Sequence, residues 1–238
     1  MASKSPSATF HVKRRVAPEP NEIVEIATSV QDLVGLFLQT GFYSTSATFL
    51  NRIGILARNL VMWGSRMNLT AHPEDPEEIA FHVIDSLMPL VLSHDPPSLG
   101  NVLRSDNEIL DLGSGAGFPG LVLASECDAH FTLVESRRKR ASFLQVAIGE
   151  MGLRNVILEP RRAEEMDLAA RFDLVTARAF GNAGEFFALA SEALKPGGLA
   201  MLYANPTQRF DADIVRIPYQ VKRHGRRVER ILAVRRQA

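Results

Sequence analysis

Residues 108–120 read Glu-Ile-Leu-Asp-Leu-Gly-Ser-Gly-Ala-Gly-Phe-Pro-Gly, an apolar strand that ends in a glycine-dense turn and leads into a helix. Such a turn lets the main chain approach a ligand closely and directs free N–H groups at it. Two nucleotide classes use this architecture, the dinucleotides and S-adenosylmethionine. The dinucleotide fingerprint has glycine at its first, third and sixth positions, whereas Gly113, Gly115 and Gly117 take the first, third and fifth. The spacing therefore weakens the dinucleotide interpretation.

Three further segments fit the same ligand. Glu135 closes the next predicted strand twenty residues after Gly115, where a carboxylate can accept hydrogen bonds from both ribose hydroxyls. Residues 162–165, Arg-Ala-Glu-Glu, follow the third predicted strand, where an adenine edge commonly meets a carboxylate and main-chain amides. Residues 194–198 resemble a turn that recurs in class I methyltransferases. The residues of these segments predicted to bind the cofactor S-adenosyl-L-methionine are Asp111, Gly113, Ser114, Gly115, Ala116, Gly117, Phe118, Glu135, Ala163 and Glu164.

Helices are predicted ahead of this region. Apolar residues at helical spacing predict one helix over residues 21–40 and a second over residues 49–63, capped by Ser44 or Ser46 and ended by Gly64. These helices belong to a cap that precedes the glycine loop.

A third helix begins at residues 75–78, Asp-Pro-Glu-Glu, and runs to about Leu90. Asp75 is the N-cap, Pro76 takes the first helical position, and Glu78 is placed to close a capping box.

After residue 99, short apolar strands alternate with helices, which indicates a parallel sheet covered on both faces. The predicted fold is α/β, the Rossmann-like doubly wound sheet of class I S-adenosylmethionine-dependent methyltransferases with an N-terminal helical cap. We expect a disordered basic arm over residues 1–20 and one methyltransferase domain over 21–238, with the cap at 21–98 and the core at 99–238. The predicted strands are 108–112, 131–135, 156–159, 173–176 and 199–203, and the predicted crossover helices are 137–151 and 182–194.

Charge is segregated although the formal net charge is zero. Residues 67–103 hold six acids and neither Lys nor Arg, whereas residues 207–238 hold nine Lys or Arg against three acids. The basic tail is read equally well as a solvated surface strand or as a segment that holds phosphate. A lone Cys127 and the lack of a long apolar run predict a cytoplasmic protein with no structural disulfide, no metal and no membrane span.

The residues after the fourth predicted strand restrict the acceptor. Methylation at pyrimidine carbon five needs a cysteine nucleophile, and Cys127 lies away from the expected substrate entrance. Residues 176–180, Thr-Ala-Arg-Ala-Phe, lack the Asn/Asp-Pro-Pro-aromatic motif that holds exocyclic amines of bases. The pattern favours an acceptor with its own free lone pair, such as guanine N7.

Residues 51–203 resemble the RsmG (GidB) family, methyltransferases that make 7-methylguanosine in bacterial small-subunit (16S) ribosomal RNA. Two departures stand out: Phe81 replaces a usual Arg, and residues 203–206, Tyr-Ala-Asn-Pro, replace a usual lysine-containing pattern. The resemblance is carried by Trp63 with Asn68-Leu69-Thr70, Asp75-Pro76-Glu77-Glu78, His82-Val83-Ile84-Asp85-Ser86, residues 112–120, Lys139-Arg140 with Phe143-Leu144, Arg162-Ala163-Glu164-Glu165, and Phe172-Asp173 through Arg178-Ala179-Phe180.

The resemblance implies methyl transfer to N7 of a guanine in small-subunit ribosomal RNA, with Asn68, Arg162 and Arg178 near the cofactor and the target base. The implied partner is ribosomal RNA, naked or in the assembled subunit, and we expect a monomer. Cations at a helix N-terminus are unfavourable there, which favours RNA-phosphate contact by Arg137, Arg138, Lys139 and Arg140. Three alternatives remain open: a class I methyltransferase with another RNA, a protein or a small-molecule acceptor, a non-catalytic RNA-binding protein that retains the fold, and, more distantly, a dinucleotide oxidoreductase.

Overall fold

The computed structural model describes residues 17–39, 46–64, 66–92, 99–103 and 106–238. Most of the arm predicted at 1–20 and the alternative cap Ser44 lie outside these ranges, and the first helix begins at Pro20. The three helices of the predicted cap are present as α1 (Pro20–Gln39), α2 (Ala47–Gly64) and α3 (Pro76–Val91). Within the described ranges, no helix is long and apolar enough to span a membrane.

Helix α2 confirms both of its predicted end signals. The Ser46 hydroxyl accepts a hydrogen bond from the main-chain N–H of Phe49 at 3.1 Å, so it caps the first turn. Gly64 is the last helical residue. A Cβ at Gly64 would lie 2.3 Å from Cβ of Pro73, so only glycine lets the chain leave the helix along this path.

The start of α3 confirms the predicted N-cap and corrects the predicted capping box. Asp75 accepts hydrogen bonds from the N–H groups of Glu77 at 2.9 Å and Glu78 at 3.4 Å. Glu78 does not reach back to Asp75; its carboxylate accepts a 2.6 Å hydrogen bond from Nε of Arg223. A charge-assisted bond is stronger than a neutral one, so the buried Glu78 pairs with the guanidinium.

Seven strands form one sheet in the order β3-β2-β1-β4-β5-β7-β6, in which β1 to β5 are parallel. The chain order reverses between β1 and β4, which in α/β sheets is where ligands bind, beyond the carboxyl ends of the strands. The strands are β1 (Glu108–Leu112), β2 (His130–Val134), β3 (Val156–Glu159), β4 (Phe172–Arg178), β5 (Leu194–Ala204), β6 (Val215–Arg223) and β7 (Arg226–Arg236). The remaining helices are α4 (Leu99–Val102), α5 (Gly120–Glu126), α6 (Arg138–Glu150), a 3₁₀ turn (Ala163–Glu165) and α7 (Ala183–Ala193).

Side-chain alternation divides the core between the two faces of the sheet. Ile109 and Leu174 lie in one apolar cluster with α1, α2, α3, α5 and α6. Leu110 and Val175 lie in a second cluster with α7. The helical cap therefore covers the same face of the sheet as α5 and α6, and α3 reaches the carboxyl ends of the central strands. The predicted doubly wound α/β fold with an N-terminal helical cap is confirmed.

The basic tail forms a hairpin that continues the sheet. β7 pairs antiparallel with β5, and β6 pairs antiparallel with β7. His224 and Gly225 make the two-residue turn with φ of 49° and 69°, as the hairpin turn with two positive φ values requires. Pairing with β5 ends at Ala204 opposite Ile231, so the hairpin end formed by residues 219–230 extends beyond the carboxyl end of β5.

Substitution of Gly120, the first residue of α5, tests how closely the residues under the glycine turn are packed. A Cβ at this position would lie 2.3 Å from Cδ2 of Leu133 and 2.5 Å from Oδ2 of Asp111, both fully buried. We expect Gly120→Ala to lower the free energy of unfolding by about 1–3 kcal/mol, measured by urea denaturation.

Gly149 in α6 supplies the matched control, because a Cβ there would meet nothing within 4 Å. We expect Gly149→Ala to raise stability by about 0.4–1 kcal/mol, because alanine has less conformational freedom than glycine in the unfolded chain. Equal effects of the two substitutions would contradict the packing described for Gly120.

Candidate functional site

The turn after β1 exposes main chain at the point where the strand order reverses. Gly113, Gly115 and Gly117 have φ values of 69°, 58° and 86°, a region that L side chains rarely adopt. A Cβ at Gly113 would meet no atom within 4 Å, whereas one at Gly117 would overlap Cδ1 of Leu121 at 2.5 Å. The turn is therefore packed on α5 at one end and bare at the other.

Glu135 fixes this turn from the neighbouring strand. Its carboxylate is 4% exposed and accepts hydrogen bonds from the N–H groups of Gly115 at 3.0 Å and Arg137 at 2.7 Å. The two bonds use different oxygens, and an ionised carboxylate offers about four acceptor positions. Both oxygens therefore keep capacity for hydroxyl donors while the carboxylate is held in place.

Asp111 carries an unpartnered oxygen beneath the turn. Its Oδ2 accepts from the N–H of Gly120 at 3.2 Å, but Oδ1 has no partner in the described structure. Thr176 lies opposite Asp111 in β4, and its hydroxyl oxygen is also without a described partner. Burial raises the pKa of Asp111 to about 6. Buried polar atoms rarely lack hydrogen-bond partners. The two unpartnered oxygens between β1 and β4 therefore favour a polar ligand at this crevice.

Arg178 joins the glycine turn to the helical cap. The residue ends β4, and its guanidinium carbon lies 4.7 Å from the ring centre of Phe118. Nη1 lies 3.5 Å from Oδ2 of Asp85 and donates to the carbonyl of His82 at 3.4 Å. A largely buried cation is thus held between an aromatic face and a carboxylate at the mouth of the crevice.

Asp85 is the centre of a buried polar cluster that the sequence only partly predicts. Its carboxylate, 1% exposed, accepts from the Tyr219 hydroxyl at 2.7 Å and from Nε of Arg230 at 3.3 Å, in addition to its contact with Arg178. One turn along α3, the Ser86 hydroxyl donates to the main-chain carbonyl of His82 at 2.7 Å. Tyr219 and Arg230 were not predicted.

His82 is a neutral imidazole in the floor of this region. Burial, aided by the charges of Arg178, Arg223 and Arg230, lowers the pKa of His82 to about 2. The ring packs between Phe81 and Phe118, with ring centres 5.4 and 5.3 Å away. It therefore contributes shape and polarity to the site and carries no charge at neutral pH.

The predicted RNA-binding cations lie at the same edge of the sheet. Arg137, Arg138 and Lys139 are exposed, and the described residues include no acidic partner for their side chains. Arg140 is half-buried and donates to the main-chain carbonyl of Asn68 at 3.2 Å. A Cβ at Gly115 would lie 3.7 Å from Nη1 of Arg140. Asn68 and the glycine turn are therefore neighbours through Arg140.

Arg162 is the predicted site residue that stands apart. It precedes the 3₁₀ turn that contains Ala163 and Glu164, at the end of β3, and β2 separates β3 from β1. Arg162 and Glu164 are exposed, and no described contact joins Arg162 to Arg178 or Asn68. The structure brings Arg178, Phe118, Glu135 and the glycine turn together and leaves Arg162 at the rim.

This sheet order and glycine turn define the fold of class I S-adenosylmethionine-dependent methyltransferases. The model of the GidB family, described as rRNA small subunit methyltransferase G, matches residues 50–233, and the chain belongs to this family. The TYW2 protein of Pyrococcus horikoshii in complex with MeSAdo has a TM-score of 0.51 at 15% identity, covering 66% of this chain and 63% of that one. That likeness supports the fold alone.

Two relatives named ribosomal RNA small subunit methyltransferase G illustrate the match. The Sorangium cellulosum protein is 36% identical over 160 residues, covering 66% of this chain and 64% of the relative. The Polynucleobacter asymbioticus protein is 33% identical over 170 residues, covering 70% of this chain and 73% of the relative. The chain spans just under two thirds of the length of the Sorangium cellulosum protein and of two further relatives with the same name.

Substitution of Asp111 tests the buried carboxyl. Its folded-state pKa, about 6, lies above the ordinary 3.8, so its favourable protonated form is present below pH 3.8 and is lost as the pH rises through 6. The asparagine amide does not ionise. We therefore expect the free energy of unfolding of the Asp111→Asn variant to rise, relative to that of the unsubstituted protein, by about 2–3 kcal/mol between pH 3 and pH 7. His82 remains in both proteins, so its opposite contribution cancels. A pH-independent difference in denaturation midpoints would contradict the assignment.

The same Asp→Asn substitution can be compared at Asp85, which lies inside α3, and at Asp75, which is the N-cap of that helix. Asp85→Asn leaves two buried guanidinium groups without a counter-charge, and we expect it to lower the free energy of unfolding by about 3 kcal/mol or more. Asp75→Asn retains an N-cap of equal quality, and we expect a change within about 0.5 kcal/mol. Chemical denaturation of both variants gives the comparison, and similar losses would show that Asp85 is not a charge centre.

Proposed function

We propose that this protein transfers a methyl group from S-adenosyl-L-methionine to N7 of a guanine in small-subunit ribosomal RNA. The observation that carries the proposal is the bare main chain at Gly113, which lies between the fixed carboxylate of Glu135 and the buried guanidinium of Arg178. Family membership supports the ribosomal RNA substrate. We further propose a monomer in the cytoplasm that acts on naked RNA or on the assembled subunit.

The residues around the turn fit the proposed cofactor. Glu135 has free acceptor capacity for the two ribose hydroxyls, and the open space at Gly113 would let the cofactor approach the main chain there. Asp111 would offer its unpartnered oxygen to a positively charged group, and Ala163 and Glu164, in the 3₁₀ turn after β3, would meet the adenine edge. When bound, the cofactor supplies an activated methyl group on a sulfonium sulfur.

The protein's own contribution is positioning. Guanine N7 has a free lone pair, so the acceptor needs no base, and His82, with its pKa at about 2, supplies no proton at neutral pH. Arg178 is held by Asp85 and Phe118 at the end of β4, beside the glycine turn. It would orient the guanine, a phosphate or the cofactor carboxylate. Fixing the nucleophile near the methyl group accounts for several kcal/mol of barrier in comparable reactions.

Asn68 and Arg162 are exposed residues at the edge of the proposed site. Asn68 lies at the entrance beside Arg140 and would offer a hydrogen bond to the incoming base. Arg162 is exposed at the end of β3, which suits contact with a phosphate at the rim. Exposed cations at Arg137, Arg138 and Lys139 would add salt-dependent affinity for the RNA backbone.

Arg178→Ala tests the proposed role of the buried cation. Loss of a group that orients the reactants is expected to reduce kcat/KM for methyl transfer by about 100-fold or more. The fold is expected to survive because Asp85 keeps Arg230 and Tyr219. The matched control is Arg171→Ala, an exposed arginine at the other end of β4, for which near-normal turnover is expected.

The assay is methyl transfer to small-subunit ribosomal RNA, with circular dichroism to verify folding and mass spectrometry to locate the product on guanine N7. Near-normal turnover of Arg178→Ala would remove this residue from the site. Calorimetry that detects no S-adenosylmethionine binding by the unsubstituted protein would overturn the methyltransferase proposal and favour a non-catalytic RNA-binding protein.

A further inference from the structure

The end of the β6–β7 hairpin, residues 219–230, lies on the same side of the sheet as the glycine turn. β5 ends at Ala204, opposite Ile231, so the hairpin end continues past the carboxyl edge of the sheet. Arg230 in this segment contacts Asp85, which also holds Arg178. The hairpin end is therefore connected to the proposed catalytic crevice through one buried carboxylate.

Two side chains of the hairpin end, Arg223 and His224, contact carboxylates at the start of α3. Nε of Arg223 donates to Glu78 at 2.6 Å. His224 lies 3.2 Å from Asp75 and 3.4 Å from Glu77. These contacts anchor the hairpin on the helical cap and explain why part of the basic tail faces the acidic segment.

Three further cations at the hairpin end differ from Arg223 and Arg230, which contact acids of α3. Lys222, Arg226 and Arg227 are exposed, and the described structure provides no acidic partner for any of them. Lys222 and Arg227 are directly opposite each other across the hairpin, an arrangement of like charges that destabilises a strand pair. Because folding gains nothing from this arrangement, it is better explained by an anionic ligand than by stability.

A cavity beside these cations has the character of a base-binding site. Its volume is about 600 Å³, and it lies between α1, α3 and the hairpin. Its polar lining includes Lys222 and Arg227 together with Gln220, His224 and one acid, Glu77, which also contacts His224. Phe81, where the sequence departs from the family pattern, forms part of the floor under the guanidinium of Arg223. The apolar lining consists of Leu33, Leu36, Phe37, Ala80, Phe81, Ile84 and Val221.

We propose that the hairpin end and this cavity bind a single-stranded segment of the RNA substrate next to the target guanine. The inference rests on the proposed function. Phosphates would contact Lys222, Arg226 and Arg227, and an unstacked base would enter the cavity. A cationic rim beside an apolar and aromatic lining is how proteins hold single strands, whereas a duplex keeps its base faces covered. Arg227 is three strand residues from Arg230, about 10 Å, so the segment adjoins the crevice.

The first test compares two triple variants that remove the same charge. The hairpin variant replaces Lys222, Arg226 and Arg227 by Ala. The control variant replaces three arginines at the opposite, amino-terminal edge of the sheet, namely Arg154, Arg171 and Arg236. Affinity for a single-stranded oligoribonucleotide from small-subunit ribosomal RNA is measured by fluorescence anisotropy over a salt series.

We expect the hairpin variant to bind about 10- to 100-fold more weakly than the unsubstituted protein at low salt. Each lost phosphate contact reduces the slope of log affinity against log salt by about 0.7, so the slope should fall by up to about 2. The control variant should keep the original affinity and slope within error. Equal losses in the two variants, or unchanged binding by the hairpin variant, overturn the proposed surface.

Leu36→Ser tests the cavity without changing charge. The side chain is 60% exposed on α1, so the fold should tolerate the substitution. Loss of an apolar base contact is expected to weaken single-strand binding about five-fold, with an unchanged salt slope and unchanged duplex binding. Unaltered single-strand affinity would exclude a base from the cavity.

The failure of this inference can be told apart from failure of the proposed function. S-adenosylmethionine affinity, measured by calorimetry, should be the same for the unsubstituted protein, the hairpin variant and the control. Absence of methyl transfer by the unsubstituted protein refutes the proposed function itself. Normal transfer at limiting RNA by the hairpin variant refutes only the RNA surface.

Discussion

The buried carboxylate of Asp85 is the interaction on which the arrangement of this molecule depends. It receives a phenol from β6, a guanidinium from β7 and a guanidinium from the end of β4, while it is itself part of α3. A carboxylate in such a place is costly unless its partners satisfy it completely. The helical cap, the central sheet and the tail hairpin must therefore all be in position before the charge of Arg178 is held at the crevice.

The same requirement explains the segregation of charge along the sequence. The acidic segment contributes Asp75, Glu77, Glu78 and Asp85, and the basic tail contributes Arg223, His224 and Arg230 to the contacts between them. The sequence allowed the basic tail to be either a solvated surface strand or a segment that holds phosphate. Neither interpretation alone accounts for these ion pairs. Part of the tail balances acids of α3, and three further cations, Lys222, Arg226 and Arg227, lie at the end of the hairpin.

Local features were predictable from the sequence because they depend on neighbouring residues. β1 and β3 have the predicted bounds, and Ser46, Gly64 and Asp75 end or begin helices as predicted. The wrong prediction for Glu78 has a non-local cause, since its partner Arg223 is 145 residues away. The spacing rule for a capping box contains no information about a partner at that distance.

In the candidate site, too, the features that depend on neighbouring residues were predictable, and those that depend on distant residues were not. The glycine turn and Glu135 follow from the spacing of residues within one strand-loop-helix unit, and the structure brings them together at a 3.0 Å hydrogen bond. Tyr219 and Arg230 could not be predicted, because their contact with Asp85 requires the register of β6 on β7 and the position of α3. The alternation of Tyr219, Val221 and Arg223 on one face of a strand was the available signal. The pKa shifts of Asp111 and His82 arise from burial, which the sequence does not report.

A double-mutant cycle on single-turnover methyl transfer tests most directly whether Asp85 acts by holding Arg178. The rates of Asp85→Asn, Arg178→Ala and the double variant are compared at a temperature where all three proteins are folded. If Asp85 acts through Arg178, the double variant transfers methyl groups no more slowly than Arg178→Ala alone. Rate losses that multiply in the double variant would contradict the account.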